Sequence, residues 1–155
     1  MSQVEVFECR RPILGINSLG RIGKLTLWHH IGRKYFQEIV VNVGRGVGTG
    51  LSAIAQVIEK DATYGTIHRF LRGVKAERMI RIVDEKRGAL LIDGIPVTIL
   101  REARNPADIG WRNHGVDVVV ECTGKFQDPT IAPDDKNGSI AGHLAGGAKV
   151  VINSS

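Results

Sequence analysis

Apolar residues along this chain switch between two periods, and the switches mark its elements. Pro12 to Asn17 is a short apolar run that reads as a strand, and a glycine-rich turn at Ser18–Gly23 follows it. Ile22, Leu25, Trp28 and Ile31 then recur at helical spacing until Gly32 punctuates the pattern. Glu38 to Val43 is rich in β-branched residues and predicts a buried strand. Leu51, Ile54, Ala55 and Ile58 predict a helix over Leu51–Glu59. Strand, helix, strand, helix is the opening of a parallel sheet with covering helices.

The middle of the chain has a different rhythm. Met79–Val83, Ala89–Ile92 and Ile95–Leu100 are short apolar runs separated by Asp84–Gly88 and Asp93-Gly94. Those separators are turn chemistry, so antiparallel strands or a hairpin are expected. Asn105–Trp111 reads as a short helix or turn, Val116–Glu121 as another buried strand, and Ala141–Leu144 as a short helix. Lys149–Ile152 reads as a final, central strand. The expected fold is α/β, a Rossmann-type doubly wound and mostly parallel sheet with an antiparallel insertion in the middle. Residues 1–11 read as an N-terminal extension and 12–155 as one domain. Parallel strands need both faces covered, so a chain stopping at Ser155 reads as a truncated piece of a longer protein.

Composition changes this picture little, except in one respect. The hydrophobic fraction of 43% and charged fraction of 24% are ordinary for a globular domain and argue against disorder. Glycine is the anomaly, at nineteen residues or about 12%, against roughly 7% on average. No apolar run approaches the ~20 residues of a membrane span, and the N-terminus lacks a signal-peptide pattern. Cys9 and Cys122 are unclustered, which points to a reducing cytoplasm and to no metal site. The net charge of +5 concentrates in residues 66–104, where Arg69, Arg72, Lys75, Arg78, Arg81, Lys86 and Arg87 fall. Such a block could face an anionic ligand or nucleic acid. Intervening acids and scarce aromatics favour solvated strand and hairpin residues instead.

The glycines locate the chemistry. Gly15-Ile16-Asn17-Ser18-Leu19-Gly20-Arg21-Ile22-Gly23 lies between a strand and a helix, where a dinucleotide fingerprint belongs. Gly20 and Gly23 take its second and third positions, for backbone approach to pyrophosphate and for helix–strand packing. Ser18 stands at the first. A Walker-type reading fails, because Arg21-Ile22 stands where Lys-Ser/Thr is required. The ribose-binding acid expected about 20 residues after the turn is also missing. Position 43 is valine, and Gly44-Arg45-Gly46-Val47-Gly48-Thr49-Gly50 follows. Loss of that carboxylate removes its repulsion of a 2′-phosphate, which Arg45 could pair, so NADP is expected to bind at least as well as NAD. Alternatively, Arg45 is simply solvated in a flexible loop.

Taken together, four segments resemble the glyceraldehyde-3-phosphate dehydrogenase family. They are Gly15–Lys24, Asp61-Ala62-Thr63-Tyr64-Gly65, Val119–Phe126 and His143-Leu144-Ala145-Gly146-Gly147-Ala148-Lys149. The resemblance runs from about residue 12 to 155. It implies that Asn17, Leu19, Gly20 and Gly23 belong to the cofactor-binding set, with Arg21 and Ile22 giving backbone contacts to pyrophosphate. Arg104 matches the position beside adenine, Thr123 and Gly124 follow a strand onto the cofactor, and Phe126 lies near the adenine face. Ser154 matches a position near the nicotinamide, and Val43 stands where the family has its aspartate.

The resemblance also implies a parent reaction: oxidation of a phosphorylated aldehyde through a cysteine acyl-enzyme, by a homotetramer. An erythrose-4-phosphate dehydrogenase-type relative is the nearest alternative; a non-catalytic nucleotide- or RNA-binding module is another. The Ser-Cys-Thr-Thr-x-Cys signature and its partner histidine are absent, so no catalytic residue is assigned and the chain alone is expected to be inactive. About ten extra residues precede the first strand, and Gln127–Gly138 is longer than usual. Cys122, at a strand end, reads as a structural thiol. The five histidines show no acid partner at catalytic spacing, and Trp28 and Trp111 read as packing residues.

Overall fold

The computed structural model describes residues 10–44, 50–74 and 76–154, so Arg45, Lys75 and Cys9 lie outside the described residues. The first half comprises β1 (Ile13–Asn17), α1 (Arg21–Arg33), β2 (Glu38–Asn42) and α2 (Leu51–Glu59). A two-residue strand pair follows, β3 (Lys60–Asp61) with β4 (Gly65–Thr66), and then α3 (Ile67–Arg72). The second half comprises β5 (Ile80–Asp84), β6 (Ala89–Ile92), β7 (Ile95–Leu100), β8 (Val118–Glu121), α4 (Gly142–Ala145) and β9 (Val150–Asn153). Two 3₁₀ turns, Pro106–Asp108 and Trp111–His114, lie between β7 and β8.

Seven strands form one sheet in the order β5-β6-β7-β2-β1-β8-β9. β7, β2, β1, β8 and β9 pair in parallel, while β5, β6 and β7 pair antiparallel. This is the Rossmann-type sheet expected from the pattern. The chain leaves β1 toward β2 and later returns to β8 on its other side, creating a switch point at β1.

Alternation along the strands builds two cores. Leu14, Ile16, Ile39, Val41 and Val97 pack with Leu27, Trp28 and Ile31 of α1 and with Leu51, Ile54 and Ile58 of α2. Ile13, Val40 and Val119 face the other way, against Ile109, Trp111 and Val116. Each fully buried Leu or Ile contributes about 1.5–3 kcal/mol of transfer free energy. Trp28 also donates its indole N–H to the Ile58 carbonyl at 2.7 Å, fastening α1 to the end of α2. At the amino ends of the strands, Asp117 accepts the Ile13 amide (2.9 Å), Lys149 (2.7 Å) and Arg10 (2.9 Å).

Several expectations needed correction. α1 runs through Gly32 and stops at Lys34, whose φ of 53° is the left-handed cap. Ile22 is 51% exposed, so the buried stripe of α1 is Leu27, Trp28 and Ile31, with Gly23 at its start. β9, read from the pattern as a central strand, pairs in parallel with β8 at one end of the described sheet order, and Val150 and Ile152 are half exposed. The hydrophobic pattern does not show β3, β4 and α3, because strands of two residues and a six-residue helix carry no readable period. In the basic middle block, Arg72 pairs with Asp93, Arg78 with Glu59 and Arg87 with Asp84.

Burial pushes the Asp117 carboxyl up, but Lys149, the Ile13 amide and Arg10 outweigh it and hold the group below the ordinary 3.8. A depressed carboxylate stabilises the fold fully above its unfolded value, and that stability is lost as pH falls through the folded value. Asp117→Asn is therefore expected to lower stability at neutral pH and to flatten the loss below about pH 4. Urea unfolding of both proteins between pH 2 and 7 measures this; parallel curves would contradict the role.

Candidate functional site

Strand register places four polar residues side by side at the carboxyl ends of the sheet. Asn17 of β1 stands opposite Asn42 of β2 on one side and Glu121 of β8 on the other, and Glu121 stands opposite Asn153 of β9. Ligands of open α/β sheets bind outside these ends at the switch point. A cleft of about 450 Å³ opens there. Of the residues expected from sequence, Asn17, Leu19, Gly20, Val43, Arg104, Thr123 and Phe126 line it. Ser18, Asn42, Gly44, Val57 and Lys125 line it as well and were not foreseen as site residues.

The turn into α1 forms the floor. Ser18 donates its amide to the Asn42 carbonyl (2.8 Å) and adopts φ of 96°, a region glycine enters without a Cβ penalty. Its hydroxyl accepts the Gly20 amide at 3.1 Å. A Cβ on Gly23 would lie 2.0 Å from the Ser18 carbonyl oxygen, so only glycine lets the helix start this close to the strand. No side chain caps α1 and no acid stands in its first turn. Internal bonding starts with the Lys24 amide on the Gly20 carbonyl, at 2.9 Å. The first-turn amides of Arg21, Ile22 and Gly23 thus form an open, positive helix end.

The remaining sites surround this floor. Arg104 donates from Nε to the Gly44 carbonyl at 2.8 Å, which ties the loop after β7 to the segment after β2. The Lys125 ammonium sits 5.2 Å from the centre of the Phe126 ring. Gly124 turns the chain just before them, with φ of 69°. Ser154 stands apart from the cleft lining; its hydroxyl donates to the Glu121 carbonyl (2.8 Å) and lies 3.3 Å from Cys122 Sγ. Arg45 lies outside the described residues.

Glu121 is fully buried beneath the cleft. It accepts the Asn17 side-chain amide (2.7 Å), the Thr123 backbone amide (2.6 Å) and His143 Nε2 (2.8 Å). Burial pushes its carboxyl up, yet these hydrogen bonds, His143 first, hold it below the ordinary 4.5. His143, read from sequence as lacking an acid partner, therefore has one, brought together only by the fold. Trp111 donates to His143 Nδ1 at 2.9 Å, so Nδ1 accepts and Nε2 carries the proton toward Glu121. Trp111 is fully buried and packs as expected, with this bond in addition. The Cys122 thiol is half-buried, and burial pushes its pKa up, which is the opposite of nucleophile activation.

Comparison with known proteins bears on this cleft. Residues 13–129 match the family described as glyceraldehyde 3-phosphate dehydrogenase, NAD binding domain. Among curated proteins, glyceraldehyde-3-phosphate dehydrogenase 1 of Schizosaccharomyces pombe is 34% identical over 141 residues, covering 91% of this chain and 35% of that protein. The cytosolic glyceraldehyde-3-phosphate dehydrogenase of Chondrus crispus is 33% identical, with 91% and 35% covered. The glyceraldehyde-3-phosphate dehydrogenase of Streptomyces coelicolor is 32% identical, with 90% and 34% covered. The chain thus spans about a third of the length of the curated relatives it matches. No described helix is long and apolar enough to cross a membrane.

Two substitutions in the turn should move stability in opposite directions. Ser18→Gly relieves a left-handed residue, worth about 1–2 kcal/mol, at the cost of one exposed hydrogen bond of about 0.5–1 kcal/mol. Its urea midpoint should rise. Gly23→Ala drives a methyl into backbone and should cost about 1–3 kcal/mol or more. A midpoint for Gly23→Ala within error of the parent would contradict the close approach.

Proposed function

The chain belongs to the glyceraldehyde-3-phosphate dehydrogenase family, as its NAD-binding domain, and from that premise we propose that the cleft over β1, β2 and β8 is where it holds the cofactor. The observation that carries this reading is the uncapped, acid-free start of α1 beside a cleft at the switch point. Open helix amides and the helix dipole suit a pyrophosphate, and Gly20 leaves its approach free of side chain. Arg21 and Ile22 present their backbone amides to it. Arg104 and Phe126 flank the adenine, Thr123 and Gly124 border the cofactor from the β8 side, and Ser154 lies toward the nicotinamide end.

Nicotinamide supplies hydride transfer when bound. This chain's residues bind and orient the dinucleotide; the aldehyde chemistry belongs to a catalytic cysteine that is not among them. In the full protein that chemistry is oxidation of a phosphorylated aldehyde through an acyl-enzyme, with a cytoplasmic homotetramer as its setting. Cys122 does not substitute for that cysteine, since its pKa is raised and it is half-buried. The 155 residues alone are expected to turn over no glyceraldehyde 3-phosphate; measurable NADH formation by them would overturn this.

Cofactor choice follows from Val43. It lines the cleft at the end of β2, where dinucleotide folds commonly place an acid for the ribose hydroxyls. Without a carboxylate to repel a 2′-phosphate, NADP is accepted at least as well as NAD, aided by Arg45. Titration with both cofactors tests this, and Val43→Asp should weaken NADP relative to NAD by tenfold or more. NAD binding tenfold tighter than NADP in the parent protein would overturn it.

A further inference from the structure

The buried chain of side chains under the cleft has a fixed direction, set by which atoms can donate. The Trp111 indole only donates, so His143 Nδ1 accepts and Nε2–H points to Glu121. The carboxylate only accepts, so Asn17 turns its amide nitrogen toward Glu121 and its Oδ1 toward β2. Asn42 Nδ2 donates to that Oδ1 at 2.9 Å and to the Ala103 carbonyl at 3.1 Å. Asn42 Oδ1 is then left as an acceptor, buried and with no partner among the described residues. Asn42 is itself only 2% exposed and lines the cleft.

We propose that Glu121 is a positioning residue for the cofactor, orienting Asn17, Asn42 and the Thr123 loop through this Trp111–His143–Glu121–Asn17–Asn42 relay. It does not touch the ligand. It sets which face of each amide the cleft presents, so that Asn42 offers a carbonyl oxygen to a hydrogen-bond donor of the ligand, a hydroxyl or an amino group. The other Glu121 oxygen holds the Thr123 amide at 2.6 Å, which fixes the loop where β8 ends. The proposal rests on the reading of this cleft as the cofactor site.

Glutamine at 121 cannot satisfy this arrangement. Whichever way its amide turns, an N–H faces either the Thr123 amide or the Asn17 and His143 donors. Glu121→Gln is expected to weaken NAD binding tenfold or more while the protein still unfolds cooperatively. His143→Leu should do the same, whereas His143→Gln, which can accept from Trp111 and donate to Glu121, should recover most of the affinity. A role in packing alone would not distinguish those two His143 variants in that way. In apo spectra, the Asn17 and Asn42 side-chain amides should be sharp in the parent and shifted or broadened in Glu121→Gln.

One measurement needs no variant. NAD saturation of the unsubstituted protein should move the Trp111 indole N–H resonance, although Trp111 lies outside the cleft lining. An unmoved indole, or a folded Glu121→Gln that binds NAD within twofold of the parent, overturns the relay. Parent protein that binds neither NAD nor NADP overturns the cofactor reading beneath it. The apo amide spectra separate these failures, because they report the orientation of Asn17 and Asn42 without ligand.

Discussion

A carboxylate removed from water must be met by donors on every side, and at the end of β8 that requirement organises the carboxyl end of the sheet. Losing even one such partner leaves a buried charge uncompensated, which costs several kcal/mol in typical cases. Glu121 draws its donors from β1, from the loop after β8 and from α4. Three segments distant in sequence are therefore held to one point. The parallel register of β1 with β8 makes this possible, because it sets Asn17 beside Glu121 rather than one residue away. A slip by one residue would turn every side chain of the strand to the opposite face.

The same register explains how the two cores and the cleft coexist. Side chains alternate along β1 and β2, so Leu14, Ile16, Ile39 and Val41 meet α1 and α2, while Ile13 and Val40 meet Trp111 and Ile109. The polar residues come last in each strand, beyond the apolar run, where covering helices no longer exclude a ligand. Trp111 then serves two purposes at once. It fills the second core, and its indole N–H anchors the far end of the polar chain. Packing on one face thereby sets the polarity of groups at the edge of the sheet.

The turn from β1 to α1 shows a local conflict between stability and binding geometry. Ser18 occupies a left-handed conformation and uses its hydroxyl to hold the Gly20 amide. A serine there supplies a hydrogen bond that glycine could not, in exchange for backbone strain and one amide fewer open to a phosphate. The absence of any acid in the first turn of α1 keeps that helix end positive despite this.

Much of this was already determined by the sequence. Periodicity located β1, β2, α2, the β5–β7 strands and β8, because each is long enough to show a period or is bounded by turn residues. The fingerprint around Gly20 and Gly23 and the missing acid at Val43 were also legible, since they depend on residues close together in the chain. Not legible were the two-residue strands, the place of Val57 and Lys125 in the cleft, and the partnership of Glu121 with His143. Those depend on which strands lie side by side and in what register, and no local pattern carries that. Only the tertiary structure brings residues 17, 42, 111, 121 and 143 within hydrogen-bonding distance of one another, and only there does burial turn their donor and acceptor roles into a fixed order.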